Sequence, residues 1–161
     1  MKEGNNPVES PLEDVLGEWI DYNGHMNVAY YTLAFDRAID FFLEEELGIG
    51  PAYVKHAKQG PYSLQANYHY LQELKQRDRF RSKILIIGAD KKKIHMVLEM
   101  INASNGEKVA ICETLLINVD LTIRRSVEYP DWVQHKIQEY KKSCEEFALP
   151  DQVGKIITLK K

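Results

Sequence analysis

With 161 residues, 44% of them apolar and 28% charged, the chain has the size and composition of one globular domain with a full core. A net charge of -3 and a pI near 6.0 exclude a nucleic-acid binder that depends on general positive charge. The aliphatic run at 84–87 is far too short to span a bilayer. Two cysteines, Cys112 and Cys144, make neither a disulfide framework nor a metal-ligand cluster, and they fit a reducing, cytoplasmic setting.

Residues 1–10 are polar, carry no apolar signal region and read as a flexible tail, with 11–161 as a single domain. Residues 11–20 read as a strand interrupted by Gly17. In the next stretch Asp21, Asn23, His25 and Asn27 occupy alternate positions. Extended backbone would set these four on one side, with Tyr22, Met26 and Val28 on the other. Asn23-Gly24 is equally a turn signal. Asn27 suits the N-cap of the apolar segment 28–47. A polar segment would then run into a helix N-terminus, whose free N–H groups can hold an anion or polarise a carbonyl. Asn, Asp and Gly before a helix are also ordinary capping residues, but four polar groups in alternation favour a site.

The helix expected at 28–47 carries Val28, Tyr31, Phe35, Ala38, Ile39 and Phe42 at helical spacing, widened by Tyr30, Leu33, Ala34 and Phe41. A helix this apolar is one wrapped by other elements. Gly48 and Gly50-Pro51 stop it, and 51–61 reads as a loop. The period then falls to two. Strands are expected at 62–70, 79–89, 94–103 and 109–119, separated by turns at 76–78 and 90–93 and by the hairpin signal Asn105-Gly106. Connections this short predict an antiparallel meander. A helix over 130–147 follows, with Val133, Ile137, Tyr140, Cys144 and Phe147 on one face. Residues 153–159 read as a short edge strand or an ordered tail.

The expected fold is α+β: an antiparallel sheet around one long apolar helix, plus a C-terminal helix. One helix covers one face and leaves free edges, so self-association follows, as a dimer at least.

This order of elements resembles the hotdog fold of acyl-thioester enzymes. Asp21-Tyr22-Asn23-Gly24-His25-Met26-Asn27 is similar to the Asp-x-Asn-x-His-x-Asn motif of one thioesterase branch, above all to the small bacterial betainyl-CoA thioesterase-like proteins. Tyr70-Leu71-Gln72-Glu73, the turn from Asp90 to His95, Glu113 and Val119-Asp120 fit the same likeness. Arg77 before Asp78, and Asn118 where that group often has His, depart from it and leave the substrate open.

The resemblance implies an acyl-CoA thioesterase acting on a small or medium acyl group, as a homodimer or homotetramer with its site at the subunit interface. Asp21 would be base or nucleophile, Asn23 and Asn27 would orient, and His25 would donate to or orient the thioester. Backbone N–H groups at 26–28 would bind the oxyanion. Met26, Val28, Tyr31 and Glu113 would meet the substrate. Glu113 lies between Ile111 and Leu115 on an apolar strand face, so it is either a site residue or an ion-pair partner. Glu73 reads as a surface or interface residue, His69 and His95 as satisfied structural histidines, and Lys91 to Lys93 as a solvated turn. No ligand-spaced cluster or Gly-rich phosphate loop occurs, so no metal or cofactor is expected. The alternatives are a hydratase or dehydratase on the same fold, and a non-catalytic acyl-CoA sensor.

Overall fold

The computed structural model describes residues 6–160. Among them one antiparallel sheet contains β1 (Val8–Glu9), β2 (Glu13–Asp14), β3 (Gln59–Tyr70), β4 (Arg79–Ala89), β5 (Lys93–Asn102), β6 (Lys108–Asp120) and β7 (Arg125–Ser126). The order is β1-β4-β5-β6-β3, with β2 also on β4 and β7 on β6. The four long strands are the ones that the period-two pattern predicts.

Helix α1 (Val28–Phe42) begins at Asn27, whose side-chain oxygen accepts from the Ala29 N–H at 3.0 Å. Its last turn widens into a π-helical segment, Leu43–Leu47, and stops at Gly48, where φ is 70°. The buried stripe Tyr31, Ala34, Phe35, Ala38 and Phe42 forms one core with Ile84, Ile86, Met96, Leu98 and Cys112 of the sheet. Register shifts between Ser63 and Gln65 and between Ile86 and Gly88 bend the strands locally, as bulges do, and help the sheet curl.

The opposite face is also covered. Helix α3 (Asp131–Cys144) and the chain after it place Cys144, Phe147 and Val153 on Leu85, Val97 and Ile111. Tyr140 ties this layer to the sheet: its hydroxyl donates to the Ile84 carbonyl at 2.7 Å and accepts from the Val8 N–H at 2.9 Å.

Three expectations are corrected. Residues 8–9 pair with β4, and Ser10 Oγ accepts from the Ser82 N–H at 2.9 Å, so the tail reading fails there; residues 1–5 lie outside the described residues. Residues 11–20 are no continuous strand: only Glu13–Asp14 pairs, and a 3₁₀ turn, Gly17–Trp19, follows, burying Trp19. The expected loop at 51–61 contains helix α2 (Pro51–Ala57), which starts with Pro at its first position, where the ring's fixed φ suits a helix start. Of the two readings of residues 153–159, edge strand or ordered tail, the tail is the one found.

Gly50 makes the join between the π-segment and α2. A Cβ there would lie 2.7 Å from the Glu44 Cα, a backbone atom that cannot step aside. Gly50→Ala is expected to cost about 1–3 kcal/mol, read as a lower denaturant midpoint. Both cysteines are buried, and burial pushes the Cys112 thiol up to about 12. Neither should react with an alkylating reagent at neutral pH until the chain unfolds; labelling followed by mass measurement checks this.

Candidate active site

The segment before α1 closes on itself. Ile20 bridges Met26, the Asp21 N–H donates to the His25 carbonyl at 3.1 Å, and the Gly24 N–H donates to the Asp21 carbonyl at 3.0 Å. Gly24 supplies the left-handed φ of 80° that the turn requires. The backbone is therefore a tight turn. The four alternating polar residues do not share one edge, and of the two readings left open the turn is the one adopted.

The turn joins Asp21 to Asn27. Asp21 Oδ1 accepts from the Asn23 N–H at 2.8 Å, and Oδ2 accepts from Asn27 Nδ2 at 3.2 Å. Asn27 in turn caps Ala29, so the carboxylate is linked through an amide to the positive end of α1, where an anion is favoured. The exposed Asn23 takes part through its backbone. His25 Nδ1 lies 3.1 Å from the Met26 carbonyl. A carbonyl only accepts, so Nδ1 carries the proton and a neutral ring keeps a lone pair at Nε2.

A cavity of about 480 Å³ opens beside this turn, lined by His25, Met26, Val28 and Tyr31 on one side and by Tyr70, Leu71, Gln72 and Glu73 on the other. Its far wall is fastened from within. The Tyr31 hydroxyl accepts from the Leu74 N–H at 3.1 Å and donates to the Gln72 carbonyl at 3.4 Å. The Leu74 carbonyl accepts from the Met26 N–H at 2.7 Å. Burial raises the Tyr31 phenol above its ordinary pKa, so it keeps the proton that it donates. Tyr31→Phe would leave the buried Leu74 N–H unpaired. It is expected to cost about 1–3 kcal/mol and to loosen the wall, seen as faster amide exchange at Leu74.

Met26, Val28 and Tyr31 line this cavity, and Met26 is wholly buried. The expected N–H cluster is smaller than the sequence implies. Met26 and Asn27 spend their N–H groups on the carbonyls of Leu74 and Trp19. Of the three, Val28 alone has no acceptor among the described residues. Glu73, expected as a surface or interface residue, is exposed at the cavity rim and bridges Lys75 at 3.0 Å. The change from strand to loop after Tyr70 is the sequence signal for this wall.

Glu113 is not part of this arrangement. It lies on the opposite sheet face, with Oε1 2.8 Å from His95 Nε2 and Oε2 accepting from the Gly154 N–H at 2.7 Å. It bonds to His95 and borders a separate cavity of about 470 Å³. His95 has its partner, but His69 Nε2 is buried without one, contrary to expectation. In the Lys91–Lys93 turn, Asp90 Oδ1 accepts the N–H groups of Lys92 and Lys93, each at 2.7 Å. Those bonds hold the Asp90 carboxyl below its ordinary pKa. Among the described residues no group of three or more His, Cys, Asp or Glu is placed to hold a metal ion.

An antiparallel sheet curled on one long helix, with a polar turn at the helix start, defines the hotdog class. The model of the Thioesterase-like superfamily matches residues 15–137, and the chain belongs to that superfamily. It is 27% identical over 145 residues to the betainyl-CoA thioesterase of Pseudomonas aeruginosa, covering 90% of this chain and 91% of that protein. It is 30% identical over 148 residues to the L-carnitine dehydrogenase/betainyl-CoA thioesterase of Agrobacterium fabrum, covering 92% of this chain and 30% of that protein. Among solved structures, SAV2348 of Staphylococcus aureus in complex with CoA superposes with a TM-score of 0.86 at 25% identity, over 92% of this chain and 93% of that one. The 1,4-dihydroxy-2-naphthoyl-CoA thioesterase Slr0204 of Synechocystis shares the fold, with a TM-score of 0.71 at 15% identity over 80% of this chain and 94% of that one.

Proposed function

We propose that this chain hydrolyses an acyl-CoA thioester to the free acid and coenzyme A, with Asp21 as the essential carboxylate. The observation that carries the assignment is the Asp21–Asn27 pair, bonded at 3.2 Å at the start of α1, with His25 of the same turn lining the adjoining cavity. Superfamily membership and the likeness to a betainyl-CoA thioesterase over nearly the whole of both chains support the reaction.

A thioester needs little help with its leaving group, since a thiolate departs readily near neutral pH. The demands are delivering the attacking oxygen and stabilising the oxyanion. Asp21 meets the first demand by one of two routes. It takes a proton from water as that water adds to the carbonyl, or it attacks the carbonyl itself and the resulting anhydride is hydrolysed. In both, the tetrahedral adduct expels CoA thiolate, which ends as the free thiol. Val28 N–H is the backbone donor left to the oxyanion, and His25 Nε2 and the Asn23 amide orient the thioester or the water. A cavity of about 480 Å³ suits a small or medium acyl group. Tyr31 and Tyr70, with ring centroids 5.3 Å apart, and the Glu73 carboxylate make betainyl-CoA, whose head group is a cation, the first substrate to try.

The assay is free-thiol release over a panel of acyl-CoAs that includes betainyl-CoA. Binding without thiol release across the panel would establish the non-catalytic sensor in place of the esterase.

The active form in this reading is a homo-oligomer in a reducing, cytoplasmic setting. Strand β3 pairs with β6 on one side and with nothing on the other among the described residues, and Tyr62, Leu64 and Tyr70 along it are exposed. Two such edges pair antiparallel across a two-fold axis, which sets the cavity at the end of β3 beside the start of β3 in the second copy. Sedimentation at micromolar concentration should give a dimer or tetramer; a monomer would refute the assembly.

A further inference from the structure

After α3 the chain crosses the outer face of the sheet in strand order. Phe147 and Val153 pack on Leu85 of β4, Val97 of β5 and Ile111 of β6. The Gly154 N–H donates to Glu113 Oε2 on β6 at 2.7 Å, and the Lys155 carbonyl accepts from Asn67 Nδ2 on β3 at 3.0 Å. Because the sheet runs β4-β5-β6-β3, Lys155 has reached the last strand. The next residues border the outer-face cavity beside Gln65 and Asn67, yet Ile156, Ile157 and Leu159 are 81%, 97% and 104% exposed. Three aliphatic side chains within four residues, held out in water, make a surface that calls for a partner.

We infer that residues 156–159 are an arm that crosses the subunit seam and packs on the outer face of a second copy. The inference rests on the edge-to-edge dimer proposed above. An axis at the middle of β3, between Leu64 and Gln65, sets Asn67 of one copy opposite Tyr62 of the other. Tyr62 pairs with Ile117 and Asn67 with Glu113. Residues 113 and 117 lie an even number of steps apart on β6, so Tyr62 and Asn67 share the outer face. Tyr62 and its neighbour Leu64, bulged out of register, are 43% and 54% exposed. Paired strands lie about 4.8 Å apart and an extended residue advances about 3.3 Å. One or two residues beyond Lys155 therefore bring Ile156 and Ile157 onto Tyr62 and Leu64 of the neighbour. The Glu113 carboxylate, tied to His95 by its other oxygen, anchors the root of the arm. The two-fold axis repeats the exchange, so each copy both gives and receives an arm.

Two full-length variants test this. Ile156→Asp/Ile157→Asp should raise the dimer dissociation constant about tenfold or more, read by sedimentation. Tyr62→Cys/Ile157→Cys should give a disulfide-linked dimer on oxidation, seen on a non-reducing gel. A link within one chain would leave the protein at monomer mass on the same gel, so only the exchanged arm gives the covalent dimer. An unchanged dissociation constant together with no covalent dimer would overturn the arm and leave the edge-paired dimer standing. An unsubstituted chain that stays monomeric at every concentration would instead overturn the dimer, and the arm with it.

Discussion

Asp21→Asn is expected to lower turnover by about 100-fold or more, the low end of general acid–base effects, with the fold and assembly intact. Asp21 is the one carboxylate in the turn before α1. An amide at the same place can still accept the Asn23 N–H through its oxygen and so keep the turn, while its nitrogen gives up the bond from Asn27 Nδ2. It cannot accept a proton near neutral pH or attack a carbonyl. The loss should therefore fall on kcat. His25→Ala serves as the comparison. If His25 orients the thioester from the cavity wall, its removal weakens turnover less than that of Asp21. Near-normal turnover in Asp21→Asn, with loss in His25→Ala, would reverse the two roles. Glu113→Gln should leave turnover close to that of the unsubstituted chain, because Glu113 lies on the opposite face with His95. A collapse of turnover in Glu113→Gln alone would move the site away from the opening motif.

Phe35→Ala is expected to cost about 3–5 kcal/mol, measured by denaturant unfolding. Phe35 is wholly buried in the core between α1 and the sheet, with its ring centroid 6.0 Å from that of Tyr68 on β3. Truncation removes apolar burial and leaves a hole that flanking rings cannot fill without leaving their rotamers. Burial pushes the half-buried Tyr68 phenol up to about 12. Phe35→Leu should recover much of the loss, because it keeps most of the volume. Equal costs for the two substitutions would contradict a close-packed interior here.

The parts legible in the sequence are those encoded by local repetition. Period-two alternation marked β3 to β6, helical spacing marked the helix over 28–47, and Asn105-Gly106 marked a hairpin. All of these depend on neighbours a few residues away. The Asp21–Asn27 motif was legible for the same reason, its partners being six residues apart. Long-range packing decided the rest. Two dipeptides too short to show a period became strands because β4 offered a free edge at Ile84 and at Phe80. The cavity wall at Gln72 to Leu74 is fixed by a hydroxyl from Tyr31, more than forty positions earlier. Glu113 went to the far face because register with β3 and β5, and not its apolar neighbours, determines which way a strand residue points. Composition and period alone determined that this chain would wrap a sheet on a helix. Which carboxylate guards the outer face was decided by pairings between segments that the sequence holds far apart.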